Sequence, residues 1–321
     1  MLTTVRQRMS DHDEAASGAV LGSMRILAGV MWLANIHWKV PTKFGQDTGG
    51  GLYKYTLSVT RHSPFAPFTW VTKHVILPNF QLFGWVTLFV EITFAALLLI
   101  GWKTRPVSLA AAGMAATIML SVVYYDKADE WSWSYLLMIG LHLTLFASNA
   151  GRHLGLDGVL RGNASAARRA LTVFGAIGTV AGLLGLFVAR SVDFAGSTAK
   201  LLGSDAGFVA DTGKVTRRWE LKLLFFNPLW ALLTIAFGIL LILGARRAVL
   251  AWAGAAGFGV IALVALIAKT FDYARDDGAV QVVSTGSNVA FWAGLALAGA
   301  LLTRRAMAGS NSTSSDSALS M

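Results

Sequence analysis

The chain has 321 residues, of which 55% are hydrophobic and only 14% are charged, whereas soluble domains carry roughly a quarter of charged residues. It contains no cysteine, which excludes disulfide bonds, thiol chemistry and cysteine-ligated iron–sulfur or zinc sites in this chain. The net charge of +10 would suggest nucleic acid as a partner of a soluble protein. In a membrane protein it is typical of basic cytoplasmic loops, and because no nucleic-acid-binding motif is present we expect no nucleic-acid partner.

Long apolar stretches predict an all-α, polytopic membrane protein. A transmembrane helix needs about 20 mainly apolar residues. Continuous apolar runs, rather than alternation with a period of two, argue against a membrane β-barrel. The eight stretches that qualify are 20–40, 80–102, 107–125, 132–150, 170–190, 225–245, 248–268 and 285–303.

The distribution of charge predicts how the chain is oriented. The basic connections are 103–105, 152–169, 246–247 and 304–305. Only Asp157 opposes them, whereas the short loop 126–130 on the other side is acidic. The positive-inside rule therefore places both termini in the cytoplasm of a multi-pass protein, which we expect in the plasma membrane. Residues 1–19 form a polar cytoplasmic tail, and the serine-rich composition of 306–321 predicts a disordered one.

An internal repeat is suggested by two similar segments. Leu97–Ala116 (LLLIGWKTRPVSLAAAGMAA) and Leu240–Gly257 (LLILGARRAVLAWAGAAG) each end one helix with glycine and a basic turn and then open a helix rich in small residues. The similarity predicts two parallel four-helix units, 20–160 and 161–305. Each unit has a long outer loop after its first span, and these loops are 41–79 and 191–224.

Glu91 is the first candidate catalytic residue, because an ionisable group within a span costs a few kcal/mol or more in lipid. Gly84, Thr87 and Ala95 lie on the same helical stripe, which predicts that Glu91 faces another helix. The carboxyl group would carry a proton or hydrogen-bond a quinone headgroup. The structural alternative is a hydrogen bond or an ion pair with Arg25 or His142.

His142 is the second candidate catalytic residue. It lies in the middle of the fourth span, with Tyr135, Met138 and Asn149 on roughly the same face. It would hydrogen-bond a quinone carbonyl or relay a proton, and the alternative is a structural histidine. A transmembrane haem needs two opposed histidines, which the spans do not offer, so we expect neither a metal nor a covalent cofactor.

Five basic residues are candidates for binding an anionic substrate. Lys43, Lys54, Arg61 and His62 lie in the outer loop, where they would hold a sulfur oxyanion or a lipid headgroup. Plain contact with membrane phospholipid is the alternative. Arg25 lies in the first span near its cytoplasmic end, where the alternative is a snorkelling or ion-paired side chain.

The second half lacks these polar groups. Alignment of the two repeats puts Thr234 opposite Glu91 and Gly294 opposite His142. The sequence therefore places the site in the first half. The second half is expected to be a scaffold or a surface for partners.

Three segments carry a resemblance to a known family. They are MRILAGVMWLANIHWKVPTKFG (24–45), FVEITFAALLLIGWKTRP (89–106) and GRHLGLDGVL (151–160). Together they resemble the DoxX/DoxD family of four-helix membrane proteins, over about residues 20–160. The matching positions are Arg25, Lys43, Glu91, Arg105, Arg152 and Asp157.

This resemblance implies a membrane subunit of a quinone-linked oxidoreductase, of the thiosulfate:quinone type. It implies a quinone, a sulfur oxyanion, membrane lipids and other subunits of a membrane complex as partners. Whether the chain is itself an enzyme is open. The second half departs from the family pattern, because four further spans stand where a single span and an outer domain are expected.

Two other functions remain open at this stage. One is a non-catalytic scaffold or assembly subunit, which would have a filled helix bundle with no cavity beside Glu91. The other is a transporter of small solutes or lipids, which the repeat and the central carboxylate suggest.

Overall fold

The structure is a computed structural model that describes residues 2–63, 65–123, 132–189, 223–274 and 280–318. Its helices are Leu2–Ile36 (α1), Gly51–His62 (α2), Ala66–Val71 (α3), Phe80–Ile100 (α4), Thr104–Val122 (α5), Ser132–Ser148 (α6), Leu156–Val159 (α7), Ala164–Ala189 (α8), Pro228–Gly244 (α9), Ala248–Ala268 (α10) and Gly286–Ala318 (α11). Two antiparallel strands, Thr270–Ala274 (β1) and Val280–Ser284 (β2), form a hairpin before α11.

The helices confirm the prediction of an all-α, polytopic membrane protein. Among the described residues, six helices are long and apolar enough to cross a membrane. They contain the segments Ala15–Ile36, Ala66–Ile100, Thr104–Val122, Ala164–Phe187, Ala248–Ala268 and Gly286–Ala308. Two shorter apolar helices, Ser134–Ser148 and Pro228–Gly244, coincide with the two remaining predicted spans.

Two helices extend beyond the predicted spans. α1 begins at Leu2 and α11 continues to Ala318, so helix covers most of both segments that the composition marks as polar tails. Adding a residue to an existing helix fixes one residue for each new hydrogen bond, which is far easier than nucleation. The polar flanks therefore continue the helices that the apolar spans have already nucleated.

The hairpin is an element that the apolar pattern does not reveal. β1 and β2 pair from Thr270 with Ser284 to Ala274 with Val280. Their sequences, TFDYA and VQVVS, are rich in the β-branched and aromatic residues that favour strands. Ser284 N–H donates to His37 O at 2.7 Å, so the hairpin contacts the end of α1.

The two halves of the chain pack differently around the site. In the first half, α4 packs on α1 and α5 packs on α6, while α2 lies against α5. In the second half, α9 packs on α8 and α10, and α11 packs on the same two helices. α11 also lies along α4, so it joins the second half to the first.

The bundle has two ends with different composition. The loop end carries residues 41–79 together with the end of α1 and the start of α4. The arginine end carries the turns between α4 and α5, between α6 and α8, and between α9 and α10. Its arginines are Arg105, Arg152, Arg161, Arg168, Arg169, Arg246, Arg247, Arg304 and Arg305.

Candidate functional site

Glu91 is fully buried in the middle of α4 and is paired with a cation. Lys39 Nζ lies 2.9 Å from Glu91 Oε2, and the two side chains are 2% and 0% exposed. Asn35 Nδ2 donates a hydrogen bond to Glu91 Oε1 at 3.0 Å. The ion pair and this bond compensate a carboxylate that would be very costly to bury alone. The partner is thus Lys39, in place of the Arg25 or His142 that the sequence suggests.

Lys39 reaches Glu91 because α1 ends just before it. The helix ends at Ile36, and Lys39 N–H donates back to Ile36 O at 3.0 Å. The Lys39 ammonium also donates to Asn35 O at 2.7 Å and lies 4.0 Å from the centre of the Trp38 ring. A cation bonded to a last-turn carbonyl stabilises the C-terminus of a helix. Lys39 therefore caps the C-terminus of α1 and also balances the charge of Glu91.

A cavity of about 190 Å³ lies beside this ion pair. Its lining comes from α1, α2, α4, α5 and α6, and both Lys39 and Glu91 are part of it. The rest of the wall is mostly apolar or aromatic and includes Trp38, Phe83 and Tyr135. Sites for drug-sized ligands measure about 300–1,000 Å³. The cavity therefore suits a single substituted ring.

The cavity borders the outer surface of the bundle between α4 and α5. Val86 on α4 is 53% exposed and Thr117 on α5 is exposed, and both line the cavity. These helices pack mainly on other partners, since α4 lies against α1 and α11 and α5 lies against α6. The cavity therefore reaches the outer surface of the bundle between these two helices.

The carboxylate keeps hydrogen-bonding capacity for a ligand. Glu91 Oε2 is buried and lies 2.9 Å from Lys39 Nζ. A carboxylate oxygen can accept more than one hydrogen bond, so this atom can accept from a ligand or a water molecule in the cavity as well as from Lys39.

His142 is fully buried but lies outside the cavity. Trp32 Nε1 donates to His142 Nε2 at 3.0 Å, and the Trp32 ring meets Phe94 edge to face at 5.2 Å. Because Nε2 accepts, the ring proton of a neutral His142 lies on Nδ1, which has no hydrogen-bond partner among the described residues. Trp32 and Asn35 are nearly one turn apart on α1. The two candidate catalytic residues are thus linked through α1 rather than brought together.

Arg25 is bound to the end of α4. Its guanidinium donates to Leu98 O, to Leu99 O at 2.9 Å and to Leu154 O at 2.8 Å. Gly101, at φ +69°, allows this approach, because a Cβ there would lie 2.8 Å from Arg25 Cζ. The last carbonyls of a helix lack intrahelical donors and attract cations. Arg25 therefore caps the C-terminus of α4 at the arginine end of the bundle. The loop end, with residues 41–79, is the opposite end.

Two other residues on which the resemblance rests also hold helix ends. Asp157 accepts from Lys103 N–H at 2.8 Å and from Thr104 N–H at 3.0 Å, which caps the start of α5. Arg105 Nε donates to Phe146 O at 3.0 Å near the end of α6. These positions fix the turns at the arginine end rather than line the cavity.

The basic residues of the loop end lie outside the cavity. Lys43 is 59% exposed and forms an ion pair with Asp47 at 3.7 Å. Lys54 is half-buried on α2, and Arg61 and His62 are exposed on its last turn. They form a basic surface at the same end of the bundle as the start of α4.

The second half carries a different arrangement at the matching position. Thr234 is buried and donates to Trp230 O at 2.6 Å, while Trp292 Nε1 donates to Thr234 Oγ1 at 2.9 Å. The hydroxyl thus both donates and accepts within the bundle. The position that the sequence aligns with Glu91 is therefore a satisfied packing contact.

Comparison with known families gives one match. Residues 21–176, just under half of the chain, match the family model described as "TQO small subunit DoxD". The first half of the chain is therefore similar to the DoxX/DoxD family. Searches for similar curated proteins and for similar solved structures found no match. The DoxD region runs from α1 into α8, so it contains the cavity, Lys39, Glu91 and His142.

Sequence reasoning missed three residues at or near the candidate site: Trp32, Asn35 and Lys39. Asn35 and Lys39 are four residues apart at the end of an apolar helix, which is a spacing that brings side chains together in a helix. An amide and a cation at that spacing inside a predicted span were a sequence signal that the two side chains could bind a buried acidic group. Lys39 resembled an interfacial lysine because it lies near the end of the predicted first span.

Proposed function

We propose that the chain is the membrane subunit of a quinone-linked oxidoreductase and that the cavity beside Glu91 receives a quinone headgroup. The observation that carries the proposal is the buried Lys39–Glu91 ion pair on the wall of a mostly apolar cavity. The family description names a TQO subunit, which supports the same class. The scaffold alternative requires a filled bundle beside Glu91, so the cavity favours the quinone-linked function.

The residues of the cavity suit the reduction of a quinone. Conversion of a quinone to a quinol adds two electrons and two protons, and the protons end on the two carbonyl oxygens. The Lys39 ammonium would stabilise the negative charge that develops on one oxygen. The Glu91 carboxylate would first take up a proton from water and then pass it to this oxygen as a general acid, and a second proton taken up from water would reach the other oxygen. The electrons come from the donor that the oxidoreductase complex serves.

We propose that His142 is a positioning residue of this site. It accepts a hydrogen bond from Trp32 on α1, and α1 carries Asn35 and is followed directly by the turn that holds Lys39 against Glu91. Loss of His142 would shift α1 and change the geometry of the ion pair without removing a group from the cavity. This role differs from direct contact with the headgroup.

The proposal also names a class of electron donor, which is a sulfur oxyanion. A sulfur oxyanion such as thiosulfate would be attracted by Lys43, Lys54, Arg61 and His62 at the loop end. The positive-inside rule predicts that this end faces away from the cytoplasm. Partner subunits and membrane lipids would complete the complex in the plasma membrane.

The proposal is tested by the quinone reductase activity of the complex purified with its native partners. Glu91→Gln keeps the shape of the side chain and removes the acid. General acid–base catalysis contributes about 10²–10⁴-fold, so we expect activity at least about a hundredfold lower. Thr93→Val, two residues away on the exposed face of α4, should leave activity unchanged. Full activity of a folded Glu91→Gln complex would contradict the proposal.

A further inference from the structure

A second cavity lies at the arginine end of the second half. It measures about 130 Å³ and lies between α8, α11 and the turn that joins α9 to α10. Its polar lining includes Arg168 from α8, Arg246 from the turn and Thr303 from α11. Two exposed arginines from different parts of the chain therefore line one partly open cavity.

The positive charge around this cavity is not balanced by the nearby sequence. The described stretches 158–189, 223–271 and 286–308 contain no aspartate and no glutamate, and Asp157, which precedes the first of them, binds the backbone N–H groups of Lys103 and Thr104. Arg305 Nε donates a hydrogen bond to Gly162 O at 3.1 Å. This arginine is therefore bound to a neutral backbone carbonyl, which does not cancel its charge. The positive charges of the arginines around the cavity repel one another, and an anion bound between them would reduce that repulsion.

The ends of two helices meet at the cavity with opposite dipoles. Gly244 ends α9 and Ala248 begins α10, and both line the space. The partial negative charge of one helix end and the partial positive charge of the other largely offset each other. The charge of the site therefore comes from the arginines.

We propose that this cavity binds the phosphate group of an anionic ligand, with a phospholipid headgroup as its first source. Guanidinium groups bind phosphate oxygens through paired, charge-assisted hydrogen bonds. Basic pockets between transmembrane helices at the membrane surface are suited to anionic headgroups. Phosphate binding gives the second half a task of its own, and it does not depend on the quinone proposal.

The test compares two pairs of arginine substitutions in the purified full-length protein. Arg168→Gln with Arg246→Gln removes the charges of the cavity. Arg169→Gln with Arg247→Gln removes the same charge from adjacent positions that do not line it. Native mass spectrometry would count bound phosphatidylglycerol and phosphatidylcholine. Thermal unfolding with and without inorganic phosphate would measure free anion binding on the same samples.

We expect the cavity variant to retain on the order of tenfold less phosphatidylglycerol than the unsubstituted protein, and the control variant to retain nearly the same amount. Retention of phosphatidylcholine should be equal in all three proteins. If inorganic phosphate stabilises the protein and only the cavity variant loses that effect, the site binds free phosphate. Equal loss in both variants, or no loss in either, would overturn the proposal, because the charge would then act diffusely.

Discussion

The ion pair between Lys39 and Glu91 is the residue-scale feature on which the site depends. Both side chains are almost completely buried, and their neighbours are mostly apolar. A buried pair tolerates the low dielectric of the bundle only while both partners and their hydrogen bonds are present. Asn35 contributes to this arrangement, since it bonds Glu91 through Nδ2 and accepts from Trp38 Nε1 at 3.3 Å.

The first prediction concerns removal of one partner of this pair. Lys39→Met leaves Glu91 buried without its cation, so we expect the free energy of unfolding to fall by about 3–5 kcal/mol. Addition of Glu91→Gln removes the orphaned charge and should restore part of the loss. Thermal unfolding in detergent measures both effects. Strictly additive losses would show that the two side chains are not coupled.

The second prediction concerns Arg25, which the sequence suggests as a substrate-binding residue. Lysine lacks the planar fork that reaches the carbonyls of Leu98, Leu99 and Leu154 together. Arg25→Lys should therefore lower the free energy of unfolding by about 1–3 kcal/mol. Quinone reductase activity per folded molecule should not change. A loss of activity without a loss of stability would instead assign Arg25 to substrate binding.

At the residue scale, the sequence could indicate which ionisable side chains are buried in the bundle, and Glu91 and His142 are both buried. Glu91 and His142 were recognisable because ionisable groups within a span are costly and therefore informative. The contacts of Arg25 were not recognisable, because its partners are backbone carbonyls that leave no mark in the side-chain pattern. Lys39 was missed for a related reason: only the end of α1 at Ile36 turns it towards Glu91.

At the scale of helices and strands, the thickness of the bilayer made the spans predictable. The predicted stretch 248–268 coincides with α10, and the predicted stretch starting at residue 80 begins where α4 begins. The hairpin of β1 and β2 could not be predicted, because five-residue strands carry little periodicity. Helix ends shifted where a single residue, such as Gly101 at φ +69°, sets the turn.

The third prediction concerns the contact between α8 and α9, where two glycines allow a close approach. A Cβ at Gly238 would lie 2.5 Å from Thr179 Oγ1 and 2.7 Å from Gly175 O. Gly238→Ala should therefore separate the helices and lower the free energy of unfolding by about 1–3 kcal/mol.

Gly113 provides the matched control for this substitution. No atom lies within 4 Å of a Cβ at that position on α5, so Gly113→Ala should be neutral or stabilise the protein by up to about 1 kcal/mol. Thermal unfolding of the two variants side by side measures the difference. An equal effect of both would show that helix propensity, rather than close packing, governs the result.

At the scale of the whole molecule, the two halves differ in what they carry at the aligned position. The DoxD-like first half holds the cavity beside Glu91, whereas the second half presents Thr234 at the aligned position and packs α11 along α4. The sequence shows that the second half has Thr234 and Gly294 at the positions aligned with Glu91 and His142. The cavity is not visible in the sequence, because it arises from how helices far apart in the chain are spaced.

A photoreactive quinone tests most directly whether the cavity is a quinone site. The complex would be labelled in its native membrane, and the modified peptides would be identified by mass spectrometry. The proposed function predicts labelling of Phe83 and Met114, which line the cavity, and suppression of that labelling by excess unmodified quinone. Labelling spread over lipid-facing residues such as Leu232 of α9, with no suppression by quinone, would contradict it.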